Sequence, residues 1–237
     1  MVNIFRFFLM PITALILIGC SNVNKELSCE EVLELTYTSS SLNNFEKNKF
    51  KDLLSNRYPK YEVMFQDAAD ETNIEKNLLA AISFQESQWD PKAKSNMGVR
   101  GMMMVTLETA ALVGVEKRLN PEQNIKGGAR YFAMLKEKNK IGPTEADKLS
   151  IVLASYNLGP TNIKKVAKSI DSNIQDVLWN EIKEELRTMN GEDLNLTDNE
   201  SYSRGQQAID YVDRVKNYYR LLSAHSCVAP KDLLTFF

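Results

Sequence analysis

The chain has 237 residues, 43% hydrophobic and 25% charged, with a formal net charge of -2. That is enough chain to bury one large core or two small ones. The charge balance, the lack of a Lys/Arg stripe interleaved with aromatics and the lack of a glycine-rich phosphate loop exclude nucleic acid as a default partner. A single histidine, His225, excludes a His-rich metal site and reads as a surface or helix-end residue.

In chain order, residues 1–19 read as a signal peptide. Arg6 is their only charge, and Phe7 to Ile18 form an apolar stretch too short for a comfortable membrane span. The stretch ends in Leu17-Ile18-Gly19-Cys20-Ser21, which resembles the bacterial lipoprotein cleavage box. That resemblance implies lipidation at Cys20 and, because Ser21 is not aspartate, a lipid anchor in the outer membrane facing the periplasm. A short uncleaved anchor helix is the rival. Cys29 and Cys227 then remain as a possible disulfide in an oxidising compartment, and geometry decides whether they pair.

Residues 20–57 read as a lipidated tether with one or two weakly capped helices. From 58 the periodicity strengthens. Thr72-Asn73-Ile74-Glu75 has capping-box spacing, and the helix after it carries Ile74, Leu78, Ile82 and Glu86 at four-residue steps. Asn120-Pro121 opens a helix to about Lys138. Thr144 opens another that reaches Asn157, with Gly159 as its stop and Pro160 barring continuation. Further helices are expected at about 162–170, 173–188 and 203–223, a polar loop at 190–201, and a tail at 226–237. No segment alternates long enough for a strand, so the predicted fold class is all-α.

Glu86 closes an apolar helix on the edge of its buried stripe. Partial desolvation and the negative end of the helix dipole both disfavour its carboxylate and raise its pKa. An acid still protonated near neutral pH can donate a proton to a leaving oxygen. On this helix alone, a solvated helix-end acid is the better reading. Gly98-x-x-Gly101 before Met102, Met103 and Met104 reads as a tight turn into an apolar strip. Tyr156-Asn157-x-Gly159 puts a phenol and an amide at a helix end, where a C-cap with a core tyrosine is the plainer account.

Taken together, these segments carry a resemblance. Glu86-Ser87, Gly98-x-x-Gly101-Met102-Met103, Asn124 with Gly128 and Tyr131, and Ala154-Ser155-Tyr156-Asn157-x-Gly159 occur in that order, and the ordered set resembles the SLT-type lytic transglycosylases. These are goose-lysozyme-like enzymes that act on peptidoglycan. Tyr202-Ser203-Arg204-Gly205 and Tyr211-Val212 look like the F-type branch. The resemblance implies a lysozyme-like (goose-type) helical domain with a substrate groove over 58–225. It also implies non-hydrolytic cleavage of the MurNAc-GlcNAc β-1,4 bond to 1,6-anhydromuramoyl ends. Glu86 is implied as sole catalytic acid and base. Ser87, Met103, Met104, Tyr156 and Asn157 are implied as substrate-site residues, with Ser87 orienting Glu86 or bonding nearby backbone and Tyr156 and Asn157 holding the substrate or positioning Glu86. Gly98, Gly101 and Gly159 are implied as loop-shaping residues.

The implied partners are peptidoglycan glycan strands and a membrane reached through the lipid anchor, with no cofactor, metal or nucleic acid, and the chain acting as a monomer. Two departures stand out. Met102 and Met104 replace the Leu and Gln of many relatives. The short stretch between Cys20 and the catalytic region leads us to expect no counterpart of the large solute-binding-like domain of the F-type branch. The alternatives are a goose-type lysozyme hydrolase and a non-catalytic peptidoglycan-binding lipoprotein.

Overall fold

The computed structural model describes residues 27–188 and 204–227. Over these residues the chain is all-α. Helices α1 (Cys29–Ser39) and α2 (Asn44–Asn56) lead through a 3-10 turn at Tyr58–Lys60 into α3 (Glu62–Thr72) and α4 (Lys76–Ser87). There follow α5 (Leu107–Val113), α6 (Pro121–Lys138), α7 (Glu145–Leu158), α8 (Pro160–Ile170), α9 (Trp179–Thr188) and α10 (Arg204–His225).

The core is organised around α4 and α10. Leu78 to Phe84 are buried without interruption, so α4 has no solvent face through its middle and must be enclosed by neighbours. Helix α10 packs along it and also against α1, α7 and α9, while α3 lies between α4 and α6. The predicted starts at Asn120 and Thr144 are observed. Each side chain accepts from a first-turn amide, Gln123 N and Asp147 N respectively, and so satisfies an otherwise orphaned donor.

Three local expectations are corrected. Thr72 does not cap α4: its hydroxyl donates to Ala68 O at 2.7 Å, and Asn73 closes α3 in the left-handed region. Helix α4 starts at Lys76, and the Glu75 carboxylate instead accepts from Tyr219 Oη. The helix expected from 173 begins at Trp179, because Asp171 accepts from Asn173 N at 2.7 Å and holds the segment before it in a turn.

The N-terminal helices are not weakly capped. Ser28 with Glu31, and Asn43 with Glu46, form complete capping boxes. Nor are they a loose tether from Cys29 onward. Phe50 of α2 is fully buried, stacked on Tyr218 at 5.4 Å between centroids and edge-on to Phe84 at 5.1 Å. Cys29 and Cys227 form a disulfide with their Cα atoms 5.4 Å apart, joining the start of α1 to the end of α10. His225 also meets this seam, with Tyr37 Oη 2.8 Å from its Nε2. Cys20, the signal segment, the whole 190–201 loop and the tail beyond Cys227 lie outside the described residues.

Candidate active site

Helix α4 ends abruptly. Gln88 and Trp89 both adopt left-handed backbone, with φ of 56° and 58°, an unfavourable conformation for side-chain-bearing residues. Burial offsets the cost: the Trp89 ring is fully enclosed, 4.7 Å from the Phe84 centroid, and its indole N–H donates to Ala80 O at 2.9 Å. Arg57 Nη1 donates to Gln88 O at 2.9 Å. The last turn, with Glu86 and Ser87, is thereby held at the edge of the core.

The segment after Asp90 folds back over that edge. Antiparallel bridges join Lys94 to Arg100 and Arg100 to Val105. Gly98 and Gly101 have φ of 77° and 82°, and Met104 at 47° completes the turn whose amide donates to Gly101 O at 3.1 Å. A Cβ at Gly101 would strike Arg118 O and the Asn124 carboxamide, so space and backbone both require glycine there. Asn124 is fully buried and uses its whole carboxamide on this loop. Oδ1 accepts from Met103 N at 2.7 Å, while Nδ2 donates to Arg100 O at 3.0 Å and Arg118 O at 2.8 Å. Sequence reading quoted Asn124 without a role, and the structure makes it the pin of the loop.

Helices α4 and α7 grip the same turn. Ser87 Oγ lies 2.8 Å and Ser83 Oγ 3.1 Å from Met102 O, and Tyr156 Oη donates to Met103 O at 2.8 Å. Ser87 is thus engaged with backbone, not held free for a ligand. The expectation that Met103 lines a sugar subsite is corrected: its side chain is fully buried, packed where Gly128 leaves no Cβ in the way. Met104 is partly exposed and Asn157 exposed, so both remain open to a ligand. Gly159, at φ 91°, lets α7 stop and α8 begin with Pro160.

Glu86 shares its environment with two phenols. Burial pushes its carboxyl up to about 7, and the Tyr211 hydroxyl opposes that shift. The two groups face each other closely enough to interact but short of full hydrogen-bond geometry, which leaves Tyr211 Oη a buried donor without a satisfied partner. Although the carboxyl is enveloped, part of the residue still meets solvent, as a proton donor to a bound ligand must. Tyr156 and Tyr211 are both driven well above the ordinary tyrosine range, by burial first and by the neighbouring Glu86 charge second. Both therefore stay neutral donors at physiological pH. Tyr131 stands 5.5 Å from the Tyr156 ring and completes the wall. Sequence reading gave Tyr211 no role. It was noted only in the F-type likeness, and its place in a helix more than 120 residues downstream of Glu86 hid the pairing.

The site therefore joins a partly protonated carboxylic acid, neutral phenols and a rigid glycine-methionine turn at an edge open to solvent. Comparison with known proteins supplies the family and the fold. Residues 63–177 match the family model described as Transglycosylase SLT domain. The chain is 38% identical over 176 residues to membrane-bound lytic murein transglycosylase F 1 of Alkalilimnicola ehrlichii, covering 73% of this chain and 35% of that protein. It is 38% identical over 177 residues to membrane-bound lytic murein transglycosylase F of Saccharophagus degradans, again covering 73% and 35%. The chain thus spans about a third of the length of these relatives. The lytic transglycosylase Slt of Pseudomonas aeruginosa, solved as an inactive mutant, shares the lysozyme-like helical fold with a TM-score of 0.52 at 16% identity, covering 86% of this chain and 32% of that one. Through residues 63–177, the chain belongs to the transglycosylase SLT domain family.

Proposed function

We propose that the chain is a peptidoglycan lytic transglycosylase, with Glu86 as its only catalytic acid and base. The observation that carries this reading is the Glu86 carboxyl, held near pKa 7 by burial beside two neutral phenols. Most glycosidases divide acid and nucleophile roles between two carboxylates. Here one group does both in turn. Protonated Glu86 gives its proton to the oxygen leaving the anomeric carbon of N-acetylmuramic acid, and the glycosidic C–O bond breaks. Positive charge on the ring is relieved by the substrate's N-acetyl group. The Glu86 carboxylate then takes the proton from the sugar's own C6 hydroxyl, whose oxygen bonds the anomeric carbon. The proton is returned, no water is consumed, and a 1,6-anhydro end results.

Tyr211 Oη, short of a partner in the resting site, supplies a hydrogen bond that strengthens as Glu86 becomes anionic. Tyr156 holds the Met103 carbonyl, and Met104 and Asn157 face the ligand. The relatives' names include the words membrane-bound, and lipidation of Cys20 with outer-membrane attachment fits a wall substrate within reach of a short linker. Mass spectrometry of products from purified sacculi tests the chemistry. Anhydro ends are expected, and reducing ends alone would point to a hydrolase. Glu86→Gln keeps the shape and removes the acid, so its turnover should fall by about two orders of magnitude or more. Retained turnover would dismiss Glu86 as the acid.

A further inference from the structure

A cavity of about 280 Å3 lies beside the end of α4, and part of its wall comes from outside the SLT match. Helix α2 contributes Phe45 and Lys49, the end of α4 contributes Gln85 and Gln88, and α10 contributes Arg214. Gln85 and Gln88 flank Glu86 in sequence, and Arg214 is one turn along α10 from Tyr211. The cavity and the proposed catalytic site therefore share helices α4 and α10.

Its chemistry is not that of a packed seam. Phe45 is 72% exposed, although Phe50 of the same helix is fully buried. Lys49 Nζ stands 5.8 Å from the Phe45 ring centroid, and no carboxylate pairs with it among the described residues. Arg214 is neutralised by Glu46 at 3.2 Å, and Glu46 is itself fixed by the α2 capping box. The carboxamides of Gln85 and Gln88 have no hydrogen-bond partner among the described residues, so each presents two donors and an acceptor. An exposed ring, two free carboxamides and one ammonium match the mixed faces of a pyranose. The apolar C–H face lies on the ring, while hydroxyl and acetamido groups meet the amides and Lys49. Pockets for drug-sized ligands run to roughly 300–1000 Å3, so a cavity slightly smaller admits one sugar ring.

We propose that this cavity is a saccharide subsite for an N-acetylated amino sugar of the strand, built by α2 onto the SLT domain. The inference rests on the glycan-cleaving reading given above, and it deepens that reading by assigning the N-terminal helices a part in strand recognition. Charge alone does not explain the pocket, because Arg214 is already paired and Lys49 is the one cation left over.

The test is calorimetric titration of the whole protein with chitotetraose, a β-1,4 N-acetylglucosamine oligomer. Phe45→Ala and Gln85→Ala are compared with wild type and with Val63→Ala, which removes a 71% exposed apolar side chain elsewhere. Circular dichroism establishes that each variant keeps its helix content. Binding weakened about tenfold in Phe45→Ala and Gln85→Ala, with Val63→Ala unchanged, is the expected result. Equal affinity in all four proteins, or no binding of the probe to wild type at millimolar concentration, overturns the subsite. Wild type that cleaves sacculi while the variants bind normally refutes the subsite alone. Wild type that binds through Phe45 and Gln85 but never yields anhydro ends refutes the transglycosylase reading alone.

Discussion

Tyr156 Oη donates a 2.8 Å hydrogen bond to the Met103 carbonyl and so ties the end of α7 to the turn that covers the end of α4. The same phenol borders Glu86 and is held protonated by burial first and by the Glu86 charge second. Tyr156→Phe keeps the ring against Tyr131 and Phe132 but leaves that carbonyl without its donor. A cost of about 1–3 kcal/mol is expected for the buried orphan. Turnover of sacculi should drop by about tenfold or more, because small displacements of positioning groups are expensive in rate. Urea melts and initial rates measure the two effects, and a variant matching wild type in both would deny the bond any positioning role.

The raised Glu86 pKa has a sign that can be tested twice. A general acid must be protonated, so activity should fall as pH rises through about 7. For stability, the folded-state pKa exceeds the unfolded value of 4.5, so the folded chain binds the extra proton. The contribution is fully present below about 4.5 and is lost as pH rises through about 7. The difference amounts to at most roughly 3 kcal/mol, an upper bound because part of the residue meets water. Glu86→Gln should therefore melt several degrees above wild type at pH 8 and close to level with it at about pH 4. Equal melting temperatures at both pH values would mean that the carboxylate is not penalised by burial.

Those two residues also mark where sequence reading works and where it stops. The caps at Asn120 and Thr144 were legible because side-chain oxygen and amide are three residues apart, and nothing distant competes. Thr72 had the same spacing and failed, since Tyr219, on another helix, takes the Glu75 carboxylate that the box needed. Glu86 stood out through its place on an apolar stripe. The burial of Met103 was hidden because it depends on Gly128 of α6 lacking a Cβ. The membership of α2 in the core was hidden because it hangs chiefly on Phe50, the buried one of two phenylalanines in a helix rich in Asn and Lys. Local chemistry can be read along a chain; which side chains meet across it cannot.

Asn124 is the position where the loop is most exposed to a single change. Asn124→Ala strips three backbone groups, Met103 N, Arg100 O and Arg118 O, of a buried partner. Water entering the vacated space recovers part of the loss, so a destabilisation of roughly 3 kcal/mol is expected. Asn124→Asp keeps the acceptor for Met103 N but loses both donations, and should be no better than alanine. Denaturant midpoints compare the variants, and hydrogen exchange at Met103 should accelerate before global unfolding does. Unchanged exchange there would separate Asn124 from the loop's order.

The Cys29–Cys227 disulfide closes a sequence separation of 198 residues. A cross-link over so long a loop removes much of the unfolded chain's freedom, and about 4 kcal/mol is a reasonable expectation. Reductant should lower the melting temperature of wild type and leave the Cys29→Ser/Cys227→Ser double variant unmoved, already at the lower value. The bond lies at the far end of α10 from Tyr211. Fourteen residues of helix from Tyr211 to His225, at 1.5 Å each, put about 21 Å between Tyr211 and the end of α10 that carries the bond. Activity at 25 °C should accordingly stay within about twofold of wild type, with the loss confined to higher temperatures where α1 and the end of α10 separate first. A double variant that is stable yet inactive at 25 °C would show instead that the staple sets the position of Tyr211 against Glu86 along the whole length of the helix.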